Sequence, residues 1–329
     1  MEFNSDDLKK LYKPAPGSHK GQNGKLMVIG GSHLFHAASL WALQASSKIV
    51  DMVFYASVAE NNEIVQKAKE EFRNGIVIPR EHIEDYVDEA DCILIGPGMV
   101  RSSDEGLKTE NLELRTIQEI NQFTDEGMQT YYLTKYLLTN YPHKKWVIDA
   151  GALQMMRPEW LKPLAGNVIV TPHPQEFARV FGSVILEQSD NEAVETPQKI
   201  LSRSLPSTPV RQAASLRPAQ DDKIKQIAKE YGCTILLKGE KDVVCSAEQC
   251  VEISGGNAGM TKGGTGDVLA GLVASLACKN DLFLAASAGS YINKKAGEAL
   301  FEKVGYYFNS SDLVSEIPIT MRKLLISGE

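Results

Sequence analysis

Short apolar runs recur along the chain, separated by polar segments with helical spacing. From Lys25 the order is KLMVIGG, a helix-like stretch from about Ala37 to Ile49, then DMVFYASV. Strand, glycine turn, helix and strand in that order make a βαβ unit. Further runs follow at GIVIP (75–79), DCILIGPG (91–98), KKWVIDAG (144–151), NVIVTPH (167–173), CTILLKG (233–239) and DVVC (242–245). Most end in Gly, Pro, Asp or Thr, as buried strands do where they meet a functional edge. Segments 61–72 and 221–232 supply helices between them. The alternation predicts an α/β fold whose mostly parallel sheet is covered on both faces. Residues 235–253 read as hairpins at one sheet edge, and 104–143 read as helical. The stretch 183–220, rich in proline and small polar residues, reads as a flexible insertion within one domain spanning 1–329.

Composition narrows the partners. The 329 residues are 43% hydrophobic and 23% charged, enough for a core, and the net charge of -7 repels nucleic acid and anionic membrane surfaces. No apolar stretch approaches a membrane span, and the polar start MEFNSDDLKK is no signal peptide. The five cysteines (92, 233, 245, 250 and 278) contain no CxxC pair and read as reduced thiols of a cytoplasmic protein.

The strongest chemical signal is SGGNAGMTKGGTGDVLAGLVASLAC, residues 254–278. From Val268 the residues are small or apolar and predict a buried helix, with Asp267 in its first turn behind Gly263, Gly264 and Gly266. Glycines let backbone N–H groups converge on an anion, and the helix start adds partial positive charge. That arrangement suits a phosphoryl group in transfer, with Asp267 placed to accept a proton from an attacking hydroxyl. The plainer alternative is an acidic N-cap. Neither QNGKLM nor AGMTKGG is a Walker A loop, and KLMVIGGSH lacks GxGxxG.

Other strand ends add candidates. His173 in VTPHPQEF sits at a turn that Pro174 fixes. Asp149 closes the strand of IDAGAL, either facing a ligand or capping the next helix. Lys238 precedes Gly239 in LLKGEKDVV, and His19, Lys20 and Lys25 form a small basic cluster. His33 and His36 lack a third ligand nearby, so no zinc site is expected; magnesium would arrive on nucleotide phosphates.

Taken together, HKGQNGKLMVIGGS (19–32), IGPGM (95–99), VIDAGAL (147–153), VTPHPQEFARVFG (170–182), LLKGEKDVV (236–244) and NAGMTKGGTGDVLAG (257–271) resemble the ADP- or ATP-dependent NAD(P)H-hydrate dehydratases of the ribokinase-like superfamily. The resemblance implies a three-layer α/β/α fold and repair of hydrated NADH and NADPH. It implies that Asp267 activates the substrate hydroxyl and that Gly264, Thr265 and Gly266 hold the transferred phosphoryl group. Ala38, Gly98 and His173 would line the hydrate site. Lys238, Gly239, Glu240, Lys241, Asp242, Asn257 and Gly266 would contact the adenine nucleotide, with ADP expected over ATP, and Mg2+. Departures are Ala37-Ala38-Ser39 for GAP or GAA, HPQE for HPGE, Asp149-Ala150-Gly151 for DAD, and Asn293-Lys294 for His-Gly. Relatives often carry an epimerase domain; with 18 residues ahead of this block, that activity is expected in a separate partner protein, and a homo-oligomer is expected. The alternatives are a ribokinase-like kinase of a small alcohol, such as hydroxymethylpyrimidine or hydroxyethylthiazole, and a catalytically silent nucleotide-binding protein.

Overall fold

The computed structural model describes residues 1–68, 74–102, 116–187 and 210–327. Nine strands form one sheet: β1 Lys25–Ile29, β2 Met52–Ser57, β3 Ile76–Pro79, β4 Cys92–Ile95, β5 Lys145–Ile148, β6 Val168–Val170, β7 Thr234–Leu237, β8 Asp242–Cys245 and β9 Cys250–Ile253. Their spatial order is β3-β2-β1-β4-β5-β6-β7-β8-β9. The first seven are parallel, and β8 and β9 add an antiparallel hairpin at one edge.

Burial explains the sequence pattern. Along β1 and β4, Met27, Ile29, Ile93 and Ile95 enter one core, whereas Leu26, Val28, Cys92 and Leu94 enter the other. Strands with two covered faces need continuous apolar runs, because alternate side chains meet opposite helical layers. The helices are α1 Ala37–Ser46, α2 Ala59–Ala68, α3 Ile83–Val87, α4 Ile117–Asn121, α5 Glu126–Asn140, α6 Ala150–Met155, α7 Pro174–Glu187, α8 Val210–Tyr231, α9 Thr265–Ala277, α10 Leu282–Val304 and α11 Ser310–Arg322. Buried residues of α1, α9, α10 and α11 fill one core. Those of α3 to α8 fill the other.

Two expectations change. The stretch 183–220 is narrower than its composition suggests, since α7 runs to Glu187 and α8 starts at Val210. The remainder, 188–209, lies outside the described residues, as do 103–115 of the segment expected to be helical. Second, Cys245 and Cys250 are not free thiols. They face each other across the β8–β9 register with Cα atoms 4.2 Å apart and form a disulfide. A tight hairpin, in which Ser246 N–H donates to Gln249 O at 2.8 Å, brings together cysteines that CxxC spacing overlooks. Cys92, Cys233 and Cys278 are free and buried.

Candidate active site

The chain reverses its direction of sheet growth between β1 and β4, which are neighbours although β2 and β3 intervene in sequence. Open α/β sheets leave a crevice at such a point, outside the carboxyl ends of the strands. Here it is walled by two glycine turns, tied where Gly31 N–H donates to Pro97 O at 2.7 Å. Gly98 has φ +73°, and a Cβ on it would fall 2.7 Å from Phe35 O and 3.2 Å from the Ala38 Cβ. The expected hydrate residues Ala38 and Gly98 are therefore in contact range of one another.

The glycine loop expected to hold an anion closes the next section of the same edge. Gly264 caps α9 in the left-handed region at φ 94°. A Cβ there would lie 2.2 Å from the Trp41 ring and 2.7 Å from Ser310 Oγ, whose hydroxyl donates to Gly263 O at 2.8 Å. Behind the loop, Lys262 Nζ donates to Tyr306 O and Phe308 O, both at 2.5 Å. The Thr265 hydroxyl lies 2.7 Å from Met260 O and 2.9 Å from Lys262 O, so it braces the loop that it was expected to serve as a phosphoryl contact. Gly264→Ala should lower kcat by about a hundredfold, because φ and the Trp41 ring both oppose a Cβ where the loop's donors converge. Steady-state rates checked against an unchanged circular-dichroism spectrum test this; a rate near that of the parent protein would contradict it.

Asp267 sits in the first turn of α9. Burial, then the nearby Asp149 carboxylate, push its carboxyl up to about 7, although Lys238 opposes them. An acid near neutrality is matched to taking a proton at physiological pH. Asp149 stands at the helix-capping position of α6 without a side-chain capping bond. Its Oδ1 instead meets Lys238 Nζ at 2.8 Å, so the carboxylate serves a buried ion pair and not a cap. Burial draws the Lys238 ammonium down, but Asp149 and Glu176 outweigh it and raise its pKa. A Cβ placed on Gly266 would lie 3.7 Å from Lys238 Nζ, which sets that ammonium beside the anion loop. Sequence reasoning flagged Asp149 and Lys238 separately and missed their pairing across 89 positions.

His173 is built into the start of α7. Its Nδ1 accepts the Gln175 and Glu176 N–H groups at 3.1 and 3.2 Å, while Glu176 Oε2 accepts the His173 N–H at 2.9 Å. This is a reciprocal capping box with imidazole in the usual place of a hydroxyl. Both donors are backbone amides, so Nδ1 carries no proton and Nε2 carries it. Gln175 is the second helical residue after Pro174 and needs no glycine conformation, which accounts for HPQE. Gly151 is explained by space: its Cβ would lie 2.0 Å from Met99 O.

The expected nucleotide residues Lys238, Gly239, Glu240, Lys241, Asp242, Asn257 and Gly266 all line one cavity of about 740 Å3, together with Thr265. Besides Lys238, held by Asp149, and Lys241, which meets Glu252 at 3.4 Å, two more of these side chains have internal duties. Asp242 accepts from Gly239 N–H at 2.9 Å and Ser290 Oγ at 2.7 Å. Asn257 accepts from Gly259 N–H at 2.9 Å and donates to Gly297 O at 2.7 Å. The cavity wall also includes Ser254, Gly255, Asn293 and Lys294, which were not among the expected contacts. His19, Lys20 and Lys25 are not in this assembly: Lys25 opens β1 at the opposite sheet edge and pairs with Glu89 at 3.5 Å. His33 Nδ1 meets Glu126 at 2.8 Å, whereas His36 Nδ1 meets Asn61 at 3.1 Å.

Known proteins resemble this chain in sequence and in fold. A family model described as NAD(P)H-hydrate dehydratase matches residues 26–319. An ADP-dependent (S)-NAD(P)H-hydrate dehydratase from Nitrosopumilus maritimus is 33% identical over 307 residues, covering 93% of this chain and 91% of that protein. A bifunctional NAD(P)H-hydrate repair enzyme from Methanocaldococcus jannaschii is 32% identical over 324 residues, covering 96% of this chain and 52% of that protein. The chain thus spans about half the length of its bifunctional relatives. Among solved structures, a ribokinase-like superfamily protein from Enterococcus faecalis superposes with TM-score 0.70 at 20% identity, covering 98% of this chain and 96% of that one. An ADP/ATP-dependent NAD(P)H-hydrate dehydratase from Bacillus subtilis, co-crystallised with ATP and Mg2+, gives TM-score 0.69 at 18% identity, with 98% of each chain covered. The three-layer sheet and the extent of these matches establish that the chain belongs to the NAD(P)H-hydrate dehydratase family and has its ribokinase-like fold.

Proposed function

We propose that this protein restores NADH and NADPH from their hydrates at the expense of ADP, releasing AMP and phosphate. The observation that carries the reading is Asp267, a buried carboxyl held near neutrality at the mouth of a glycine anion loop, with the Lys238–Asp149 pair alongside. The hydroxyl of the hydrated ring attacks the terminal phosphorus; the new O–P bond forms as the bond to the AMP oxygen breaks, and Asp267 takes the hydroxyl proton. Phosphate is a far better leaving group than hydroxide. The ring nitrogen's lone pair then expels it with cleavage of the ring C–O bond, and loss of a proton from the adjacent carbon regenerates the dihydropyridine.

The chain's residues divide this work. Gly264 and Gly266 allow close approach of backbone to the transferred group, Lys238 offsets its negative charge, and Ala38, Gly98 and His173 form the hydrate pocket. His173 enters as an Nε2–H donor. Magnesium would fit as a passenger on the nucleotide phosphates, because Mg2+ characteristically takes phosphate and water ligands. Bound there, it supplies charge neutralisation at the phosphoryl group.

The proposal includes one domain over 1–329, a cytoplasmic setting, a homo-oligomeric state, and partnership with a hydrate epimerase. No helix among the described residues is long and apolar enough to cross a membrane. Phosphorus NMR of a turnover mixture separates this reaction from its relatives. AMP and orthophosphate should accumulate in step with NADH; a stable phosphate ester of a small alcohol would instead assign a kinase.

A further inference from the structure

Helix α10 brings Lys294 into the nucleotide cavity, and its side chain is only 7% exposed. Its Nζ donates to Glu240 O at 3.0 Å and Gly239 O at 3.3 Å and lies 3.3 Å from Asp242 Oδ1. The same carboxylate is held from Ser290, one helical turn earlier on α10. A Cβ on Gly256 would sit 3.4 Å from the Lys294 Cγ, so the stem of the side chain also backs the second loop of the cavity. Peptide planarity fixes the consequence. With the Gly239 and Glu240 carbonyls drawn onto the ammonium, the Glu240 and Lys241 N–H groups point away from it.

We propose that Lys294 is a positioning residue for the nucleotide: it sets the shape of the 238–242 turn, and thereby affinity for a nucleoside diphosphate, without touching the reacting atoms. The inference rests on the reading of this cavity as the nucleotide site. Its internal logic is that a buried cation satisfied by two carbonyls and a carboxylate holds three groups in one geometry, which an apolar side chain of similar length does not.

The test is calorimetric titration of ADP with Mg2+ into the full chain and into Lys294→Met and Lys294→Arg, beside steady-state kinetics. Lys294→Met should weaken ADP binding about tenfold or more and raise the KM for ADP while changing kcat by no more than about twofold, and Lys294→Arg should recover most of the loss. An ADP affinity unchanged in Lys294→Met, with only a lower melting temperature, overturns the proposal. If that variant does not fold, Ser290→Ala, which loosens the other Asp242 oxygen, must weaken ADP binding; unchanged affinity overturns it equally. Failure of the parent protein to bind ADP removes the nucleotide reading itself, which distinguishes the two.

Discussion

Asp267→Asn is expected to lose about a thousandfold in kcat while making the folded protein more stable above neutral pH. The first effect follows because an amide cannot take the proton of the attacking hydroxyl. The second follows from linkage. The carboxyl titrates near 7 in the folded protein and near 3.8 when unfolded. Between those values the folded state holds a proton that the unfolded chain has released, so stability falls as pH rises through this window, and above it the whole penalty stands. Asparagine carries no such penalty and should gain roughly 1–3 kcal/mol at pH 8, with little gain at pH 4. Denaturant melts at the two pH values check this; equal gains at both would contradict the burial of a charged Asp267. In the parent protein, kcat/KM should fall as pH drops below about 7, because protonation removes the base.

The second large effect concerns Lys238. Replacing it with Met leaves Asp149, only 2% exposed, without its 2.8 Å partner. An uncompensated buried carboxylate costs about 3–5 kcal/mol, and loss of the cation beside the anion loop should lower kcat by about a hundredfold to a thousandfold. The two effects separate in a double variant. Lys238→Met with Asp149→Leu should recover most of the stability and none of the rate. Recovery of both would assign the pair to structure alone.

Much of this was legible in the sequence because the physics was local. The β1–α1–β2 unit and the covered sheet appear as apolar runs of strand length, and Asp267 behind three glycines marks a helix start with a candidate anion loop within five residues. The hairpin edge followed from short runs near 235 and 250. What escaped notice depended on distance. The Asp149–Lys238 pair joins the ends of β5 and β7, which only the parallel sheet order brings together. Lys294 stood out only as a departure from the resembled pattern, whereas Ser290 and Lys294, four apart on one helix face, share Asp242. Cys245 and Cys250 needed hairpin register, not spacing, to be recognised as partners. Asp242 and Asn257 line the cavity and also carry internal hydrogen bonds, which a motif does not reveal: it marks positions near a ligand without saying which side chains also shape the loop.

Recovery of the near-ultraviolet dihydropyridine absorbance from purified NADH hydrate, with Mg2+ and ADP or ATP, tests the central claim most directly. The account predicts that absorbance rises with ADP and that Asp267→Asn removes nearly all of the rise. A flat trace from a protein shown to bind ADP in the same buffer would contradict it.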